Sequence, residues 1–180
     1  MGEFMKIAPV FAAAFWLCWT ASAPVLADGG GGDDRTPVPT CGRGEVWDSR
    51  SRKCVKAENG ILPDKALAQN AFALAKAGRY PEALAVLDLL QDPNTAEALN
   101  YRGFATRKLG HLDEGIGYYL KSVALDPQYA QVREYLGEAY VQKGDIARAK
   151  AQLEAIEKIC GRDCEEYTDL AEAITDPSRL

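Results

Sequence analysis

The sequence predicts an all-α chain: a right-handed solenoid of helical hairpins, about three units plus a C-terminal capping helix, with a small disulfide-bounded β-hairpin before it. Three observations carry this expectation. Glycines at 78, 110 and 144 recur about every 34 residues, each with an amphipathic helical stretch before it and another after it. Asp92-Pro93 and Asp126-Pro127 mark unit ends, because the residue before proline is pushed away from helix. The chain is 47% hydrophobic over 180 residues, enough for one domain with its own core plus appendages.

Composition also narrows the function. It excludes collagen, wholesale disorder and a multi-span membrane protein. The single histidine, His111, excludes a His-rich metal site and a His-based triad. A net charge of −5 gives no footprint for nucleic acid, although a small basic stretch over residues 35–56 precedes an acidic body. The sequence holds no Gly-rich phosphate loop, no metal-ligand spacing and no nucleophile elbow, so no enzyme activity and no cofactor are expected.

Residues 1–27 read as an export signal. Lys6 precedes an apolar run over residues 7–19 that is too short to span a membrane, and small residues follow up to Ala27, the preferred cut, with Ala23 second. Stable membrane insertion is therefore not expected after cleavage, and a periplasmic location is. Cys18 lies in the apolar run and reads as one more apolar residue. The remaining Cys41, Cys54, Cys160 and Cys164 form an even set with three possible connectivities, and proximity favours Cys41–Cys54 and Cys160–Cys164.

Residues 28–40, dense in Gly, Asp and Pro, form a flexible tether. The cysteine-bounded hairpin over residues 41–57 pairs β-prone stretches 45–47 and 53–55 across the turn residues Asp48, Ser49, Arg50 and Ser51. A Cys41–Cys54 bridge is worth ~3 kcal/mol by loop entropy, support that so small a fragment needs. Trp47 amid Arg43, Arg50, Arg52 and Lys53 offers either an envelope-glycan platform or simply a hairpin packed on the main domain. The segment resembles the cysteine-bounded turn of peritrophin-type chitin-binding modules, which carry more cysteines.

The three units occupy residues 64–95, 96–129 and 130–161. Ala71, Gly103 and Gly137 in the first helices, and Ala83, Gly115 and Ala149 in the second, permit close helix approach. Leu87, Tyr119 and Leu153 fill the space between pairs. The second unit carries Leu99, Gly103, Gly115, Tyr119 and Pro127, the third Leu136, Gly137, Tyr140, Ala149, Leu153 and Ile156, and the first Ala71, Leu74, Ala83 and Leu87. In these residues and their spacing the chain resembles the tetratricopeptide repeat family over residues 64–161. It departs from that pattern in lacking an opening tryptophan, in Arg133 where a large apolar residue is usual, and in Gly161 where the closing proline is usual. His111, in a turn between helices, reads as a solvated residue.

The resemblance implies a concave groove, lined by the first helices, that takes a peptide or protein segment. Carried over, the groove holds Ala68, Gln69, Phe72 and Lys76 from the first unit. It holds Asn100, Tyr101, Phe104, Arg107 and Lys108 from the second, and Gln131, Glu134, Tyr135, Glu138 and Gln142 from the third. Lys76, Arg107 and Lys108 are suited to an acidic or carboxylate group. The family's carboxylate clamp is absent, because Ala68 and Phe72 stand at its Lys and Asn positions.

Residues 162–180 form the cap. Gly161 ends one helix, and Asp163 with Glu166 makes a capping-box pattern for a helix over 164–174, with Glu165, Glu166, Asp169 and Glu172 on its wet face. A Cys160–Cys164 bridge fixes the angle of that cap. The alternative is a thiol–disulfide redox pair, which the four-residue spacing and the lack of βαβ context disfavour.

Overall fold

In a computed structural model of the chain, residues 1–2 and 38–180 are described. All of the expected export signal after residue 2, and all of the tether before residue 38, lie outside the described residues. The described helices and strands lie in one unit within residues 33–180. Strands β1 (Glu45–Asp48) and β2 (Lys53–Lys56) lead into six helices in three pairs: α1 (Asp64–Lys76) with α2 (Tyr80–Leu87), α3 (Ala96–Lys108) with α4 (Leu112–Leu125), and α5 (Ala130–Gln142) with α6 (Ile146–Cys160). Helix α7 (Glu165–Thr175) and a 3-10 turn, Pro177–Arg179, come last.

The first helix of every pair ends the same way. Gly78, Gly110 and Gly144 have φ of 77°, 94° and 77°, a left-handed conformation that glycine adopts without a Cβ penalty. Around each, the next residue's N–H reaches back to the last turn: Arg79 to the Leu74 carbonyl, His111 to Thr106 and Asp145 to Tyr140, at 2.9, 3.2 and 2.8 Å. This double closure satisfies the final carbonyls and turns the chain into the second helix.

The pairs stack in order. Each first helix lies beside the next, α1 by α3, α3 by α5 and α5 by α7, and each second helix contacts the following first helix. Contacts reach mainly to neighbouring pairs, as a solenoid requires. Inside the second pair, a Cβ on Gly103 would meet Tyr119 Cδ1 at 2.7 Å, so the fully buried Tyr119 ring occupies the space glycine leaves. Gly137 offers an equivalent notch to a different partner. There a Cβ would meet Leu170 Cδ1 at 2.6 Å, which seats α7 on α5 as though it opened a further unit. Leu153, expected to fill the space after the third pair, is only half-buried, because Leu170 and Ile156 fill the core there.

Local polar groups fix the joints. Asp64 accepts the N–H groups of Gln91 and Asp92 at 3.0 and 2.8 Å, returning the end of the first unit to its start. Arg133 donates to the Pro127 carbonyl through Nε and Nη2, and to Gln152 through Nη1 at 3.0 Å. A guanidinium thus clamps the α4–α5 loop at a position that is usually apolar in the repeat. The expected Asp163–Glu166 capping box does not form. Cys164, tied to Cys160, takes the N-cap position in extended conformation with no side-chain cap, and Asp163 lies outside the helix. Glu165 and Glu166 instead complement the dipole from the first turn.

The β-hairpin, with Val46 opposite Val55 and Trp47 opposite Cys54, is closed by the Cys41–Cys54 bond and docked on the first pair. Val46 is fully buried in the common core. Asn70 of α1 accepts the Trp47 N–H at 2.6 Å and donates to the Trp47 carbonyl at 3.0 Å, imitating a neighbouring strand. Arg79 donates to the Cys41 carbonyl at 2.5 Å. Removing a buried partner of two backbone groups costs about 1–3 kcal/mol. Asn70→Ala is therefore expected to speed hydrogen exchange at the Trp47 amide at least tenfold while the α3–α6 amides keep their protection; unchanged protection at Trp47 would contradict this docking.

Candidate functional site: the inner face of the first helices

The first helices bring the residues expected in the groove onto one face, and most are less exposed than a contact surface implies. Asn100, Tyr101, Phe104, Arg107, Gln131, Glu134 and Tyr135 are buried, as is Ala68; Gln69, Phe72 and Glu138 are half-buried; Lys76, Lys108 and Gln142 are exposed. The rings account for part of this. Phe72 stacks on Tyr101 with centroids 4.4 Å apart, and Phe104 tilts against Tyr135 at 5.0 Å, so each unit's aromatic side chain covers its neighbour's. Lys76 lies over Phe72 and Lys108 over Phe104, at 6.0 and 5.8 Å.

Two polar networks cross between units beneath these rings. Asn100 donates its amide N–H groups to Tyr129 Oη and to Gln131 Oε1, both at 3.1 Å. Arg107 donates Nε to Tyr119 Oη at 3.3 Å and Nη2 to Glu138 Oε2 at 2.6 Å, joining α3, α4 and α5. Asn100 Oδ1 and Arg107 Nη1 are the buried side-chain polar atoms left without a partner among the described residues.

The electrostatics are lopsided. Glu134 is pushed up to about 9, first by burial and then by the carboxylates of Glu138, Asp169, Glu166 and Glu165. Asp169 is raised by burial, then by Glu165, Glu138 and Glu172, with Lys76 pulling the other way. Lys108 is lowered by burial and by Arg107.

Asp169 is exposed, on the wet face of the cap where the sequence pattern puts it, and its carboxyl also feels Glu138 of α5. Asp169 belongs to the inner-face charge set because α7 takes the place of a first helix, a role that Leu170 meeting Gly137 reveals and the degenerate repeat after residue 161 conceals. The predicted sites away from this face stay separate from it. Trp47 is half-buried with its backbone held by Asn70, and Cys160 and Cys164 are bonded to each other, with Glu166 near enough to share an ion only if that bond opened.

Glu134 has a consequence for stability. Its carboxyl holds a proton to about 9 when folded and to about 4.5 when free, so the folded chain binds more protons between those values. Stability then falls as pH rises through that window. Glu134→Gln is expected to flatten the decline, read as urea midpoints at pH 5, 7 and 9; an unaltered slope would contradict the assignment.

No family model and no curated relative matches the sequence. Among solved structures, the chain is similar to MamA, with 20% identity over 64% of this chain and 68% of that one and a TM-score of 0.53. It is also similar to SycD, the type III secretion translocator chaperone of Yersinia enterocolitica, with 20% identity over 64% of this chain and 87% of that one and a TM-score of 0.52. A third match is SycD in complex with a peptide of the translocator YopD, at 22% identity, 65% and 92% coverage and a TM-score of 0.50. These neighbours are tetratricopeptide-like helical-repeat proteins.

The chain has the tetratricopeptide-type fold. Gln69, Phe72, Lys76, Asn100, Phe104, Lys108, Glu134 and Glu138 lie on α1, α3 and α5, the first helices of its three pairs. Among the described residues, no helix is long and apolar enough to cross a membrane.

Proposed function

We propose that this chain is an exported, non-catalytic interaction module that holds an extended segment of another protein on its concave face. The observation that carries the reading is the strip of side chains that the first helices present together: exposed Lys76, Lys108 and Gln142 beside half-buried Phe72 and Glu138, with Lys76 over the Phe72 ring and Lys108 over the Phe104 ring. Aromatic rings among adaptable polar groups are the composition of a contact surface.

The capture of a YopD peptide by SycD supports the same use of a similar fold. Export to the periplasm is supported by the signal-like first 27 residues and by Cys41–Cys54 and Cys160–Cys164 both pairing, as oxidising compartments allow. Nothing in the geometry favours the glycan or redox reading over this one.

The experiment is a selection of random twelve-residue peptides on the full chain. A variant carrying Lys76→Ala, Lys108→Ala and Gln142→Ala tests the site, since all three side chains are exposed and dispensable for the core. Selected peptides are expected to bind this variant at least tenfold more weakly with helicity unchanged. Undiminished binding would remove the groove from the account.

A further inference from the structure

We propose that the Cys160–Cys164 bond is a site of reversible reduction by a dithiol, and that opening it moves the start of α7 one residue back, onto Asp163 as N-cap. The chain is the substrate of that exchange and not its catalyst, and the inference stands apart from what the first helices bind.

The junction between α6 and α7 carries two caps for one helix, and only one is in use. In the closed form Cys164 is the N-cap, with φ −78° and ψ 153°, and its side chain, committed to the bond, caps nothing. The residue before it has the better chemistry. An aspartate oxygen at the N-cap accepts a first-turn N–H, and Glu166, three residues on, stands where a capping box returns a bond to the Asp163 N–H. Among the described residues the exposed Asp163 carboxylate has no hydrogen-bond partner.

For Asp163 to act, Cys164 must become the first helical residue, with ψ near about −42°. Extended and helical conformations are exclusive at one residue. With α7 held in place, the change swings the Cys164 Cβ roughly half a turn about its Cα–C axis, away from the direction in which it meets Cys160. The bond and the Asp163 cap therefore belong to different states of the same junction.

The surroundings permit the change. Cys160 is exposed and Cys164 half-buried, so a dithiol can reach the bond. Helix α7 is anchored elsewhere, by Leu170 in the notch of Gly137, so its body keeps its place while its first turn is rebuilt. The loop's own holds are weak. Gly161, at φ 86°, turns freely, and Arg162 reaches Glu157 at 2.8 Å across exposed surface. The Cys41–Cys54 bond differs on each count: Cys41 is buried, and the hairpin it closes sets Val46 in the common core.

The exchange balances simply. The dithiol supplies two electrons and two protons, the S–S bond becomes two thiols, and the reductant closes as a disulfide.

The test is nuclear magnetic resonance of the labelled full chain, reading solvent exchange at the Glu166 amide. Cys160→Ala with Cys164→Ala gives the open state with Cys41–Cys54 intact. Graded dithiothreitol gives it in the wild type, with alkylation showing which cysteines are reduced. Both open forms are expected to protect the Glu166 amide at least fivefold more than the closed form. Asp163→Ala should remove that gain in the open forms and change nothing with the bond closed. Asp163→Asn keeps a capping oxygen and should retain the gain. Equal protection of Glu166 in open and closed forms, or an Asp163→Ala effect of equal size in both, would overturn the proposal. Loss of protection along the rest of α7 on opening, or reduction of Cys41–Cys54 ahead of Cys160–Cys164, would do so as well.

Discussion

Replacing Tyr119 with alanine is expected to lower the stability of the chain by about 3–5 kcal/mol, the range for removing a fully buried aromatic side chain. The ring has no exposure and fills the space that Gly103 leaves in the facing helix, where a Cβ would meet its Cδ1 at 2.7 Å. It also contacts Tyr135 of the next unit at 6.3 Å, so one cavity would open both the second pair and its joint with the third. Its hydroxyl accepts from Arg107 Nε at 3.3 Å, which separates two contributions. Tyr119→Phe retains the packing and loses only that bond, at a cost of about 1–2 kcal/mol. Urea unfolding followed by helical circular dichroism measures both. A loss under 1 kcal/mol for the alanine variant would mean that the pairs do not interlock through this residue.

The second large effect concerns the Arg107–Glu138 pair. The Arg107 side chain has no exposure and Glu138 has 15%, with 2.6 Å between the charged groups. Glu138→Leu leaves a buried guanidinium without its carboxylate and is expected to cost about 3–5 kcal/mol. Arg107→Met combined with Glu138→Leu removes both charges and replaces them with apolar volume. That double variant is expected to lie within about 1–2 kcal/mol of the wild type, because a buried pair roughly offsets its own desolvation. The two single variants and the double one form a cycle that isolates the coupling. Additive losses would contradict a buried pair. Weakening of the coupling by 1 M salt would do the same, because a buried pair is poorly screened.

Legibility in the sequence depends on whether the determining contacts are local. The turn glycines at 78, 110 and 144 announce the hairpins because a left-handed closure is a local demand, and each adopts it. The β-hairpin is equally local: its strands, its Asp48-centred turn and its bond at Cys41–Cys54 lie within one short stretch. Small residues facing large ones are legible as a pattern, but their pairing is only partly so. Gly103 finds Tyr119 inside its own pair, whereas Gly137 takes Leu170 from α7. The two notches look alike in sequence, and the difference lies in the helix that the chain forms after residue 161.

The inner face is the least legible part. Register along a helix says which way Asn100, Arg107 and Glu134 point, but not that neighbouring rings and a further helix bury them. Asp169 joins the same charge set only through the placement of α7. Asn70 holds the β-hairpin from across the chain, and no local pattern announces a side chain that will mimic a strand edge. The Asp163 cap fails because a covalent constraint at Cys164 outweighs a capping preference worth about 1 kcal/mol.

Nuclear magnetic resonance titration of the labelled chain with a selected peptide is the most direct measurement of whether the hollow side of the helical stack is where a partner lies. The account predicts that the largest shifts fall on α1, α3, α5 and α7, with the Asn100 side-chain amide and the Arg107 guanidinium among those that move. Shifts confined to α2, α4 and α6 or to the β-hairpin, with Asn100 and Arg107 unmoved, would contradict it.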